Sequence, residues 1–378
     1  MTVNGALNTS RQTRSSPPSH LDRPDATLVR QHVDAVLRAF VDRKMSDARA
    51  ADLPVHAPAA LGEFLKAGGK RIRPLLCVLG WHAAGGTGGG SPAQAVQVGA
   101  ALEMFHAFCL IHDDIMDHSA TRRGRPTLHH ALAARHRASR TRAPAEDLGT
   151  SAAILAGDLA LVWSDELLHA PDHGLAPDQR ERIEPLVDLM RGEVLYGQYL
   201  DLISTGQMTE DTGPALTIAR YKTAKYTCER PLHIGAALAG ADGRLLDRLS
   251  AFALPLGEAF QLRDDLLGAF GHPGQTGKPA LDDLREGKHT VLIALALQSA
   301  TEVRARLLRS LYGNARLDED TAQTLRAALR ATSADQRVER MITDRYEQSL
   351  TALDELSLPA QVHRHLRMLA DQAVWRTS

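Results

Sequence analysis

The sequence predicts an all-α protein built as one large helical bundle. Apolar residues recur at three- and four-residue steps along almost the whole chain of 378 residues. No alternating apolar and polar stretch of convincing length appears, and aromatic residues, which favour strands, make up only 4%. The breaks between periodic segments are short and rich in Gly, Pro or charge, too short to read as domain linkers.

The period begins after Pro24 with Leu28, Val33, Val36, Leu37, Phe40 and Val41. It resumes at Leu61 to Leu65, Leu102–Phe105–Cys109, Leu155 to Leu168, Leu186 to Leu202, Leu232 to Leu238 and Leu350–Leu353. Turn chemistry marks loops at "AAGGTGGGSP" (83–92), "RHRASRTRAPAEDLG" (135–149), "HAPDHGLAPDQ" (169–179), "STGQM" (204–208) and "GHPGQTGKP" (271–279). No internal repeat is visible. The expected organisation is a disordered tail over residues 1–27 and a single helical domain over 28–378. The tail lacks the apolar stretch of a secretory signal, and its Arg/Ser-bearing, acid-free composition bears only a weak likeness to a transit peptide.

A net charge of -1 and a pI near 7.0 exclude a whole-surface partner such as nucleic acid, so any basic function has to be local. Cys77, Cys109 and Cys228 sit in apolar or helical contexts with no CxxC pair, which excludes a disulfide framework or structural zinc and fits a reducing, cytoplasmic setting. The longest apolar run noted, Thr290 to Leu297, falls short of the roughly 18–20 residues of a membrane span and reads as a core helix.

Chemistry concentrates in two acidic segments. In "HAFCLIHDDIMDHSATRRGRPTLHH", Asp113 and Asp117 are four apart and share a helix face, with Asp114 about 100° round from Asp113. Carboxylates so close repel one another, and Mg²⁺ bridging acids to substrate phosphates would neutralise them. A solvated helix end is the plainer reading of one such motif, but a second acidic pair, Asp264 and Asp265, also ends an apolar helical run, with Gln261 one turn earlier. Two such helices facing each other would form a Mg²⁺ site for a diphosphate.

Basic residues accompany the acids: Lys70, Arg71 and Arg73; Arg122, Arg123 and Arg125; Lys222 and Lys225, with the polar Thr223 between them, in "YKTAKYT"; Lys278; Arg285 and Lys288. Singly each is an ordinary surface charge; jointly they suit phosphate oxygens. His106 precedes Asp113 by seven residues, nearly on the same face, and is expected to contact substrate rather than fill the core. His112, His118, His129 and His130 lack metal-ligand spacing and read as structural or surface residues.

In this order and spacing, "GGKRIRP", "LIHDDIMDHSATRRGRPTLH", "GDLAL", "YKTAKYT", "FQLRDDLLG" and "TGKPALDDLREGKHT" resemble the trans-isoprenyl diphosphate synthases, or polyprenyl synthetase family, over roughly residues 60–300. The resemblance implies a bundle around a central elongated cavity, a homodimer, and Mg²⁺-dependent condensation of isopentenyl diphosphate with an allylic diphosphate. It implies metal ligation by Asp113, Asp114, Asp117, Asp264 and Asp265. Lys70, Arg73, His106 and Arg123 match positions that hold isopentenyl diphosphate; Arg122, Lys222 and Lys278 match those touching the allylic diphosphate. Thr223 and Gln261, with Lys222, match residues beside the developing carbocation. No side chain is expected as general base, because the family mechanism implies that the departing diphosphate accepts the proton.

Gly268 stands where many members have a third aspartate, His272 where an acid is common, and His289 follows Lys288 where a basic residue is common. Product length is expected to be set upstream of Asp113. Phe108 lies five residues before it and Cys109 four, and an aromatic at the former position resembles synthases that make geranylgeranyl diphosphate. Helical geometry places Cys109 on Asp113's face and Phe108 about 140° away. Farnesyl or longer products stay open, as does a non-catalytic subunit that modulates another synthase. A class I terpene cyclase lacks its second metal motif here, and a metal phosphohydrolase its histidines.

Overall fold

The computed structural model describes residues 25–86, 92–137, 145–170, 174–271 and 281–375. The expected tail up to residue 24, and the loop carrying His272 and Lys278, lie outside these. Helix α1 (Ala26–Ala50) starts inside the expected tail because the Asp25 carboxylate accepts from the Thr27 and Leu28 amides and caps it. There follow α2 (His56–Lys66), α3 (Ile72–Ala83), α4 (Pro92–Met116), α5 (Leu128–His136), α6 (Ala145–His169), α7 (Pro177–Ser204) and α8 (Gly213–Ile218). After a π-helical segment, Ala219–Glu229, come α9 (Arg230–Leu238), α10 (Gly243–Phe270) and α11 (Asp282–Glu286). The chain ends with α12 (Val291–Ser299), α13 (Glu302–Leu311), α14 (Glu319–Arg330), α15 (Ala334–Asp354) and α16 (Ala360–Val374).

Most expected loops fall between helices. The exception is 135–149: α5 runs on to His136 and α6 already begins at Ala145, where Glu146 and Asp147 supply negative charge to its first turn. One apolar cluster extends from Val29 in α1 to Val374 in α16. Helix α4 lies at its centre, packed on α3, α6 and α1. By length and composition α4 could cross a bilayer, contrary to the expectation that no segment comes close, but 72% of that stretch is buried, as in a core helix.

Two local departures from α-helix position the site. A two-residue ladder pairs Thr121 with Pro126 and Arg122 with Arg125, too short to show alternation in sequence. Its turn, Arg123–Gly124, has φ of 53° and 72°, the doubly positive pattern that matches strand twist. Glycine meets this without strain, whereas Arg123 does so at a cost that marks functional positions.

The second departure is the π segment. It is wedged between α7 and α10, and both neighbours present glycine to it. A Cβ at Gly197 would come within 2.4 Å of the Lys222 amide nitrogen, and one at Gly257 within 2.4 Å of Ala224 Cα. Each obstacle is backbone, so it cannot rotate aside. Gly257→Ala or Gly197→Ala should therefore lower stability by about 1–3 kcal/mol in urea titration, the range for overpacking a filled interior, and should depress activity by shifting Lys222.

Helices α6 and α7 also expose Leu155, Val162, Leu195, Tyr196 and Tyr199, each at least half accessible.

Candidate active site

The ends of α4 and α10, the π segment and the 121–126 hairpin surround one cavity of about 660 Å³. It is lined by Asp113 from α4, Asp264 and Asp265 from α10, and Lys222, Thr223 and Gln261 between them. At one end stand Lys70, Arg73, His106, Arg122 and Arg123; Phe108 and Cys109 also reach the wall. Phe108 does so despite its angle from Asp113, its ring tilted against those of Phe105 and His112 at centroid distances of 5.4 and 4.7 Å.

The first acidic motif divides. Asp113 faces the cavity, where its Oδ1 accepts from Lys222 Nζ and Gln198 Nε2, both at 3.1 Å. Asp114 is 1% exposed, off the cavity lining, and accepts from Arg122 Nε at 2.7 Å. Asp117 also lies off the lining and accepts from Lys288 Nζ at 2.6 Å. Lys222 reaches a further carboxylate, Asp201 of α7, at 2.7 Å. Burial alone would raise the Asp113 pKa, but Lys222, Lys288 and Arg122 outweigh it and hold the group well below the usual carboxylate range. Burial likewise opposes the charge on Lys288, and Asp117, Asp113, Glu286 and Asp201 reverse that and push its pKa well up.

The second motif is in the opposite condition. Burial, with Asp264, Asp283 and Asp201 nearby, pushes Asp265 up to about 7 against the lowering effect of Gln261. Gln261 Nε2 donates to Asp265 Oδ1 at 2.8 Å, and Thr223 Oγ1 donates to Gln261 Oε1 at 2.6 Å. At Gly268 the space for a side chain is taken: a Cβ there would lie 2.0 Å from Asp283 Oδ2. Asp283 of α11 thus brings a carboxylate to the wall beside Gly268.

Several expected phosphate-site cations serve the fold instead. Arg71, though at the cavity edge, donates to Asp34 Oδ1, Glu103 Oε1 and the Leu65 carbonyl. Lys225 pairs with Glu193, and Arg285 donates to the Leu317 carbonyl. Arg125 is exposed. A motif's charge does not reveal which way its side chain turns. His289 is buried with Nε2 3.0 Å from the Asp211 carbonyl oxygen, a structural bond. His112, read as structural, sits in the space left by Gly157, whose Cβ would meet its ring at 2.3 Å.

The sequence reading missed Asp201, Gln198 and Asp283, and it counted Lys288 among the phosphate-site cations, whereas here its Nζ donates to Asp117. Gln198 and Asp201 are three apart near the end of α7, one helical face, which is a faint signal. Asp283 has none beyond its place in the motif. Among the described residues no three His, Cys, Asp or Glu side chains are gathered closely enough to hold a metal as they stand. Lys222, Lys288 and Arg122 take up the first motif's carboxylates instead. The donor chemistry nonetheless fits a hard divalent cation: carboxylate oxygens face a shared cavity, with no histidine or thiolate among them.

A family model described as polyprenyl synthetase matches residues 56–329. The chain is 34% identical to a farnesyl diphosphate synthase of Geobacillus stearothermophilus over 278 residues, 72% of this chain and 84% of that protein. It is also 34% identical to a geranylfarnesyl diphosphate synthase of Aeropyrum pernix over 238 residues, 63% of this chain and 69% of the other. A crystal structure of a geranylgeranyl pyrophosphate synthase from Corynebacterium glutamicum, complexed with isoprenyl diphosphate and magnesium, superposes with a TM-score of 0.89. It is 41% identical, with 93% of this chain and 99% of that one covered.

The raised Asp265 pKa has a definite sign. Between its ordinary value of 3.8 and about 7 the folded state binds the extra proton, so this group's contribution to stability is full below about 4 and is lost as pH rises through 7. In chelator, Asp265→Asn should raise the melting temperature, with a gain that grows from pH 5 to pH 8. A pH-independent gain would contradict the assignment.

Proposed function

The chain belongs to the polyprenyl synthetase family and is a prenyltransferase, and from that premise we propose that it joins isopentenyl diphosphate head-to-tail to allylic diphosphates to yield geranylgeranyl diphosphate. One observation supports the site assignment: two carboxylate helices and a set of cations drawn from several elements line a single cavity. A reaction between two diphosphates needs two anion subsites, only one of which must lose its diphosphate.

In this reading Arg122 and Lys222, beside the acids, hold the allylic diphosphate; Lys278 belongs with them but falls outside the described residues. Asp113, Asp114, Asp117, Asp264 and Asp265 would hold Mg²⁺, which when bound neutralises charge on the leaving diphosphate. Arg73, His106, Arg123 and Lys70 hold isopentenyl diphosphate. Arg73 supports this, because its Nε is buried without a hydrogen-bond acceptor, a donor left for an anion. The bond from Thr223 to Gln261 turns the hydroxyl proton away and leaves oxygen lone pairs for the positive charge that develops on the allylic carbon. Catalysis is then alignment and charge stabilisation, with the departing diphosphate taking the proton.

The relatives carry names for different products, so chain length rests on the wall. Phe108 and Cys109 line the cavity on α4, and the Phe108 ring is fixed between Phe105 and His112. A ring so held stops a growing chain. The exposed apolar face of α6 and α7 suits a second copy of the chain, making a homodimer; a cytoplasmic location accords with three free cysteines.

Incubation with Mg²⁺, isopentenyl diphosphate and the five-, ten- or fifteen-carbon allylic starter should give a dominant twenty-carbon alcohol after dephosphorylation, read by mass spectrometry. Phe108→Ala should shift the product longer. A folded protein that elongates no starter would instead be a modulating subunit.

A further inference from the structure

We propose that Tyr226 is a positioning residue for the isopentenyl diphosphate subsite: its hydroxyl donates to His106 Nδ1 and so fixes the imidazole tautomer that presents Nε2–H to the cavity. The inference rests on reading Arg73, His106 and Arg123 as that subsite. Tyr226 is 3% exposed, and its hydroxyl lies 3.0 Å from His106 Nδ1. A neutral imidazole has one donor and one acceptor nitrogen, and the partner of one decides the role of the other. Only the form with Nδ1 accepting turns a donor toward diphosphate oxygens.

Burial first, then Arg73, Arg123, Arg122 and Arg71, hold the His106 pKa well below its ordinary value, so the ring is neutral and its tautomer matters. The Arg73 guanidinium lies 4.0 Å from the centroid of the Tyr226 ring. Burial pushes the Tyr226 pKa well above its ordinary value and the Arg73 charge only opposes that rise, so the phenol keeps its proton to donate. The next residue, Thr227, accepts from Arg73 Nη2 at 2.6 Å, so adjacent positions of the π segment orient both Arg73 and His106. The sequence reading gave Tyr226 no role.

Tyr226→Phe keeps the ring, its contact with Arg73 and its edge contact with Phe105 at 6.0 Å, and removes only the hydroxyl. The KM for isopentenyl diphosphate should rise about tenfold, near the worth of one such hydrogen bond, while the KM for the allylic substrate and the melting temperature stay within error. Nitrogen-15 spectra of histidine-labelled protein, with His106 assigned through His106→Ala, should show the Nε2–H tautomer in the native protein and a mixture in Tyr226→Phe. An unchanged KM and tautomer in Tyr226→Phe, with His106→Ala raising the KM, would overturn the inference alone. If His106→Ala leaves that KM unchanged, the subsite reading fails and the inference with it.

Discussion

Carboxylates crowded into a low-dielectric cavity repel one another, and the fold exists around the groups that cancel that repulsion. At the first motif the counter-charges are Lys222, Lys288 and Arg122, which arrive from three different parts of the chain. Lys222 also ties α4 to α7 through Asp113 and Asp201. At the second motif burial dominates and Asp265 resists ionisation near neutrality. One wall is therefore already neutralised by protein cations and the other is not, an asymmetry suited to a substrate that arrives as a metal-complexed anion.

The π segment makes this arrangement possible. It carries the neutralising lysine, the Thr223 hydroxyl bonded to Gln261 and the phenol beside His106 within a few residues. Widened helix of this kind recurs at functional sites because it redirects side chains that a regular helix would space differently. Here two glycines on flanking helices let its backbone approach closely enough to deliver them.

Much of the bundle was legible because a buried helix leaves a 3.6-residue signature in sequence, and α1, α4, α7 and α10 all carry one. The π segment breaks that period, and a two-residue strand is too short to alternate, so both were invisible. In the site, paired acids at helix ends are conspicuous; Asp201 and Gln198 are single polar residues on a long helix and are not. Charge sign was readable and direction was not: Arg71 and Arg73 are neighbours in one motif, yet one serves Glu103 and Asp34 while the other faces the cavity. Direction depends on partners far away in sequence.

The pairing of Gly268 with Asp283 makes the two positions a single unit of variation. With a Cβ at 268 falling 2.0 Å from Asp283 Oδ2, a side chain gained at the first position requires the carboxylate at the second to swing aside. Residues in contact couple, so the effect of any side chain at 268 depends on what stands at 283.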